Sequence, residues 1–513
     1  MNAKNKWELT FGTGGLRAFI GEGTNALNVQ TIARATRGLC KYIQKTKGKS
    51  ICICFDNRIN SELFAHTAAE ICAASGLKVY ISRELAPTPF LSFCVRRYNA
   101  AAGIMITASH NPAKYNGYKV YGADGGQITN DAAEKITKFI LKASYTKGAK
   151  TGGFENHIKA GKIEYIPGKV EAEYFAAVEE QAVGEKIDKN FVVAYTSLHG
   201  TGVRFVPKIL ELIGVTRIVS PKAQLIPDGN FPTCKSPNPE KPEAMAEVLD
   251  VARENNADIA LATDPDADRV GVAVKHKGEY VLMTGNEIGV LLVDYILHNC
   301  NIVNPVIIKT IVTSTLGDRV AKQYGATVIN TLTGFKYIGE EIGKLEAKGE
   351  ASRFALGFEE SYGYLKGAYV RDKDAVLACM LVCELASYYK RQGKTLRDGI
   401  EAIYKQYGLY EHKLLSFEVS GAYVNSLRQT PPTDFGDFKI AKVTDYQTQT
   451  ELNLPRADVL QFDFINGNQV IIRPSGTEPL VKIYITATAN KIQNAKFISR
   501  VEEYFKNAVS GAL

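Results

Sequence analysis

The stretch ICICFD (51–56), followed by SELFAHTAAEICAAS (61–75), Gly76 and LKVYIS (77–82), decides the fold class. The first segment is a short apolar run without polar alternation, which reads as a buried strand. Cys52 and Cys54 alternate within it and share one face. The second segment repeats its apolar residues at helical spacing, Gly76 ends it, and a new strand begins. Strand, polar loop, helix, strand is the grammar of a layered α/β domain with a largely parallel sheet.

Working outward, the same grammar returns at NFVVAYTS (190–197) and at NPVIIKTIVTS (304–314), where a helix over GDRVAKQY (317–324) precedes ATVIN (326–330). The tail differs. QVIIRPSGTEPLVKIYITATA (469–489) reads as two strands joined by a Gly/Pro loop, with a long helix through about residue 507. A chain of 513 residues exceeds one core. The expectation is three similar layered α/β domains over 1–188, 189–302 and 303–412, then a smaller α+β domain over 413–513.

Composition narrows the function classes. Hydrophobic residues are 45% and charged residues 23%, ordinary for a globular chain. A net charge of +8 without a basic block or an aromatic-interleaved Arg/Lys stripe argues against nucleic acid and suits small anionic substrates. The N-terminal MNAKNKWELT lacks an apolar signal region, and IGVLLVDYIL (288–297) is too short to span a bilayer, so a cytoplasmic protein without a membrane segment is expected. Nine cysteines without zinc spacing read as reduced core thiols.

In open α/β sheets, ligands gather beyond the carboxyl ends of the strands. After AAGIMI (101–106) comes Thr107-Ala108-Ser109-His110-Asn111-Pro112, which offers a serine nucleophile outside any hydrolase elbow. Neighbours in extended chain point apart, so His110 is poorly placed to deprotonate Ser109. After ADIALAT (257–263) comes Asp264-Pro265-Asp266-Ala267-Asp268-Arg269, whose alternate carboxylates in an extended loop share one side. Such anions repel unless a cation sits among them, and all-oxygen ligation favours Mg²⁺. An EF-hand is excluded, because its sixth position would be Arg269 and its twelfth Lys275.

After RFALG (353–357) comes Phe358-Glu359-Glu360-Ser361-Tyr362-Gly363, whose carboxylates and hydroxyl suit a sugar. Capping of the helix after Asp374 is the structural alternative. In the tail, Arg473-Pro474-Ser475-Gly476-Thr477-Glu478-Pro479, with Lys482 beyond, makes a phosphate cradle. A nucleophile, a metal site, a hydroxyl reader and a phosphate reader together are the parts of phosphoryl transfer to or from a sugar.

The chain resembles the α-D-phosphohexomutase superfamily, particularly its phosphoglucomutase branch. The resemblance rests on FGTGGLRA (11–18), TASHNP (107–112), DPDADR (264–269), TLTGFKYIG (331–339), GFEESYGY (357–364) and RPSGTEP (473–479), in that order. It implies a phosphoserine at Ser109 and Mg²⁺ on Asp264, Asp266, Asp268 and a phosphoserine oxygen. It implies sugar O3 and O4 contacts from Glu359 and Ser361, and a phosphate loop of Arg473, Ser475, Gly476 and Thr477. Arg17, His110, Lys119 and Arg269 match other active-site positions. Lys482 stands about where many relatives carry Arg, and Lys336 near where some carry His. The implied reaction interconverts hexose 1-phosphate and hexose 6-phosphate through a bisphosphate, with glucose 1,6-bisphosphate as activator. Phosphomannomutase and phosphopentomutase use the same parts, and a metal-dependent sugar-phosphate phosphatase is the alternative of another class.

Overall fold

A computed structural model describes residues 9, 11–12, 15–145, 152–184, 186–418, 421–452, 454–474 and 480–510. The described residues build four sheets. The first comprises β1 (Gly15–Phe19), β2 (Ser50–Phe55), β3 (Lys78–Ile81), β4 (Ala102–Ile106), β5 (Tyr115–Gly122) and β6 (Ile163–Tyr165). Their order is β1-β5-β4-β2-β3-β6. The second comprises β7 (Val192–Thr196), β8 (Arg217–Val219), β9 (Ile259–Thr263), β10 (Val270–His276) and β11 (Glu279–Met283), in the order β11-β10-β9-β7-β8. The third comprises β12 (Val306–Thr310), β13 (Thr327–Thr331), β14 (Phe354–Glu359) and β15 (Gly363–Leu365), in the order β13-β12-β14-β15.

The fourth sheet is antiparallel throughout: β16 (Glu411–Glu418), β17 (Asp434–Phe435), β18 (Phe438–Asp445), β19 (Leu460–Phe464), β20 (Gln469–Pro474) and β21 (Leu480–Ala487). With the helix Lys491–Ser510 packed on it, this is an antiparallel half-barrel domain following three α/β/α domains.

The expectation of largely parallel sheets is met in the main, with an antiparallel addition to each. In each of the first three, parallel strands fill one side out to its edge, and a hairpin adds antiparallel strand on the other: β4 to β5, β9 to β10, and β14 to β15. The strand expected over 304–314 also ends early, at Thr310. Thr313 N–H closes a turn on Thr310 O at 3.1 Å, and the two hydroxyls meet at 2.7 Å. That turn supports the site described below. Elsewhere the expected elements stand: the helix Ser61–Ala74 ends before Gly76, whose φ of +86° few side chains tolerate. Among the described cysteines all are free thiols, and all but Cys300 are buried.

One element holds the first three units together. The helix Ala375–Arg391 is buried on every side from Ala375 to Ser387, as its apolar sequence dictates. Asp374 caps it, accepting from Val376 N and Leu377 N at 2.8 and 3.1 Å. Its other oxygen accepts from Tyr174 of the first unit and Tyr369 at 2.8 and 2.6 Å. Burial raises this carboxyl to about 6 despite those donors. Asp374→Ala removes the cap and strands two phenols, so it should destabilise the protein by about 2–4 kcal/mol. A urea titration followed by circular dichroism should show the midpoint falling accordingly; an unchanged midpoint would refute this role.

Candidate active site

The three hairpins present their loops to one cleft, and each loop carries a non-glycine residue in the left-handed region. These are Ser109 at φ +52°, Ala267 at +50° and Tyr362 at +67°. Such backbone costs of order 1–3 kcal/mol and persists only where surrounding contacts enforce it.

At Ser109 the left-handed turn overturns one sequence-based expectation. The residue is not extended, so its neighbour does not point away: His110 Nδ1 lies 3.2 Å from Ser109 Oγ. Ser109 N–H donates to Thr107 Oγ1 at 2.8 Å, and the hydroxyl donates across the domain boundary to Asp264 Oδ2 at 2.7 Å. Desolvation, then the Arg269 and Arg17 guanidinium groups, hold His110 well below the usual imidazole range.

The aspartate loop is a tight turn, not the extended segment expected. Ala267 N–H donates to Asp264 O at 2.9 Å, while Asp264 Oδ1 accepts from Asp268 N and Arg269 N, each at 3.0 Å. The three carboxylates still converge, with one oxygen of each within 4.8 Å of the others, and all three residues are buried. Two lysines balance them. Lys119 Nζ is 2.7 Å from Asp266 and 3.5 Å from Asp268, and Lys373 Nζ is 2.8 Å from Asp268. Thr88 donates to Asp266 at 2.8 Å.

Burial and its two anionic neighbours push Asp264 well above the carboxylate range. Burial acts likewise on Asp266, but Lys119 and Thr88 outweigh it and hold that carboxyl low. Asp266 Oδ1 and Asp268 Oδ1 are buried without a hydrogen-bond partner. Orphaned lone pairs beside a third carboxylate fit a hard divalent cation.

In the third loop, Glu359 accepts from Gly334 N at 3.0 Å, and burial raises its carboxyl to about 7. Glu360 is held by the Thr310–Thr313 turn, accepting from those hydroxyls at 3.3 and 3.1 Å. Glu359, Glu360 and Ser361 all line the cleft, whose volume of about 380 Å³ suits a small ligand. Arg269 also lines it and pairs with Glu240 at 2.7 Å.

From the half-barrel, Arg473 and Lys482 enter the cleft as cross-strand partners on β20 and β21. Ser475, Gly476 and Thr477 lie outside the described residues. Arg17 on β1 lines the cleft and donates to Asn111 Oδ1 at 3.3 Å. Lys336, in the first turn of the helix Phe335–Ala347, donates to Asn130 at 3.0 Å. Burial and then Arg473 bring its ammonium down to about 8.

Sequence reasoning missed Lys373, Thr88, Glu240 and Arg58. Lys373 sits in RDKD (371–374), where charge directly before an apolar helix was a usable signal. Arg58 follows the carboxyl end of β2, the very place where the strand-end rule directs attention.

Residues 8–147, 172–278, 284–407 and 429–503 match, in order, α/β/α domains I, II and III and the C-terminal domain of the phosphoglucomutase/phosphomannomutase family. The chain is similar to a phosphoglucomutase of Staphylococcus haemolyticus, with 36% identity over 95% of this chain and 91% of that protein. Its fold is similar to a crystal structure of a Thermus thermophilus protein described as a putative phosphomannomutase, with a TM-score of 0.74 and 25% identity over 97% of this chain and 99% of that one. It also shares its fold with Aspergillus fumigatus N-acetylphosphoglucosamine mutase, crystallised with GlcNAc-6P and magnesium, at a TM-score of 0.58 and 14% identity over 99% and 97% of the two chains. Three α/β/α domains and a half-barrel around one polar cleft thus define a sugar-phosphate enzyme. The chain belongs to the α-D-phosphohexomutase superfamily, in its four-domain phosphoglucomutase/phosphomannomutase type.

Among the described residues, no helix is long and apolar enough to cross a membrane.

Proposed function

We propose that this phosphohexomutase interconverts glucose 1-phosphate and glucose 6-phosphate through a phosphoserine at Ser109 and a glucose 1,6-bisphosphate intermediate, which also serves as activator. The observation that carries the reading is the Ser109 hydroxyl 2.7 Å from Asp264, inside a cleft lined from all four domains. The 36% identity to a phosphoglucomutase supports glucose as the hexose.

Asp264, Asp266 and Asp268 would hold Mg²⁺ together with an oxygen of phosphorylated Ser109. The ion's chemistry there is to offset charge on the transferring phosphoryl group. Magnesium in the fungal relative supports that choice. The remaining work falls to side chains. Glu359 and Ser361 orient the sugar by its hydroxyls, and Arg473, Lys482 and the loop of Ser475, Gly476 and Thr477 hold the phosphate that is not reacting. Arg17 and Arg269 add positive charge at the cleft wall. The attacking hydroxyl must lose a proton, and His110, Lys119 and Lys336 are the bases proposed for it. Phosphoserine, metal, sugar and phosphate loops then belong to domains over 1–188, 189–302, 303–412 and 413–513.

Side-by-side kcat/KM measurements with glucose, mannose and ribose 1-phosphates test the substrate. Glucose 1-phosphate should be turned over at least as efficiently as either rival. A strong preference for mannose or ribose would reassign it, and stoichiometric release of inorganic phosphate would make the protein a phosphatase.

A further inference from the structure

Beneath the Ser109 loop lies a buried guanidinium to which the proposed chemistry assigns nothing. Arg58 is 2% exposed and spends its donors on main-chain carbonyls of one loop. Its NH1 donates to Pro112 O and Tyr115 O at 3.1 and 2.9 Å, and its NH2 donates to Ser109 O and Asn111 O. Asp56 lies 3.4 Å from Arg58 Nε and accepts from Arg58 N–H at 2.9 Å and Ser61 Oγ at 2.7 Å. The second domain closes the other side. The Phe231 ring lies 5.0 Å from the guanidinium carbon, and Gly229 packs so closely that a Cβ there would stand 2.6 Å from Asn57 O and Ile59 N.

A planar fork satisfying four carbonyls dictates the path of the segment that carries them. That segment contains Ser109 in its left-handed conformation, which needs outside enforcement. We infer that Arg58 is the positioning residue of the nucleophile: it folds the 109–115 loop so that Ser109 Oγ faces Asp264, and it ties that path to the seating of the second domain. This rests on the reading of Ser109 as the phosphoryl carrier. Arg58 touches neither the hydroxyl nor the sugar-binding loop, so its loss should act on phosphoryl transfer more than on substrate affinity.

The test compares wild type, Arg58→Lys and Arg58→Ala. Intact-mass and peptide analysis first establish whether wild-type Ser109 carries phosphate; its absence would sink the underlying reading by itself. With phosphate present, kcat should fall on the order of 100-fold in both variants, as for a nucleophile displaced by about 1 Å, with KM within about threefold of wild type. Phosphorylation of Ser109 by added glucose 1,6-bisphosphate, followed by mass, should slow in parallel. Lysine cannot rescue, since a point charge with three donors cannot serve four carbonyls. Free guanidinium should restore part of the Arg58→Ala rate. Wild-type kcat in Arg58→Lys would overturn the proposal. So would losses that track the melting temperature in both variants without guanidinium recovery, since Arg58 would then serve only stability.

Discussion

Ser109→Ala should lose mutase turnover by at least about 10⁴-fold, the scale seen when an enzyme's nucleophile is removed. The substitution deletes the atom proposed to carry the phosphoryl group, and the remaining cleft can bind sugar phosphate but has nothing to donate. Folding should change little, because alanine replaces serine at the same backbone geometry and only the contacts to Asp264 and His110 disappear. Intact-mass spectrometry should find one phosphate on the wild-type protein and none on the variant. Added glucose 1,6-bisphosphate should not rescue it. Full activity in Ser109→Ala would end the phosphoserine mechanism.

Removing the divalent ion should be nearly as severe. Chelation should stop turnover reversibly, and Asp266→Asn should lower metal affinity and rate by on the order of 100-fold or more, since even outer-shell changes cost 10–100-fold. The variant also leaves Lys119 with one fewer anion and alters the acceptor used by Thr88. A second readout avoids reliance on activity. Mg²⁺ at about 100 times its Kd should stabilise wild type by about 2.7 kcal/mol, visible as a raised Tm, and at the same concentration should leave Asp266→Asn almost unmoved. Activity in thoroughly metal-free protein would show that the trio serves another purpose.

The contrast between what the residues announced and what they concealed follows a physical line. Apolar strands announced themselves, because ICICF, ADIALAT and RFALG are short apolar runs closed by polar loops, the pattern of strands buried in a sheet. The chemical loops were legible because polar residues at strand ends have few structural reasons to accumulate. Backbone sign was hidden: nothing in Ser-His-Asn-Pro says that Ser109 turns left-handed, and that turn brings His110 beside it. Charge compensation was legible only in part. The aspartate trio advertised its need for cations, but Lys119 and Lys373 answer it from 147 and 105 positions away, counted from Asp266 and Asp268 respectively. Arg58 stood at a strand end where attention was due, but its role was hidden for a related reason, since its partners are carbonyls that every residue possesses.

The cleft draws its parts from widely separated stretches of chain, and this orders events during synthesis. Ser109 leaves the ribosome 155 residues ahead of Asp264, a delay of about 8 to 30 s at ordinary elongation rates. Glu359 and Arg473 come later still. Throughout that interval the nascent chain carries Ser109 without the carboxylate that receives its hydroxyl in the folded protein. The cleft gains its last wall, with Arg473 and Lys482, only when the final domain docks.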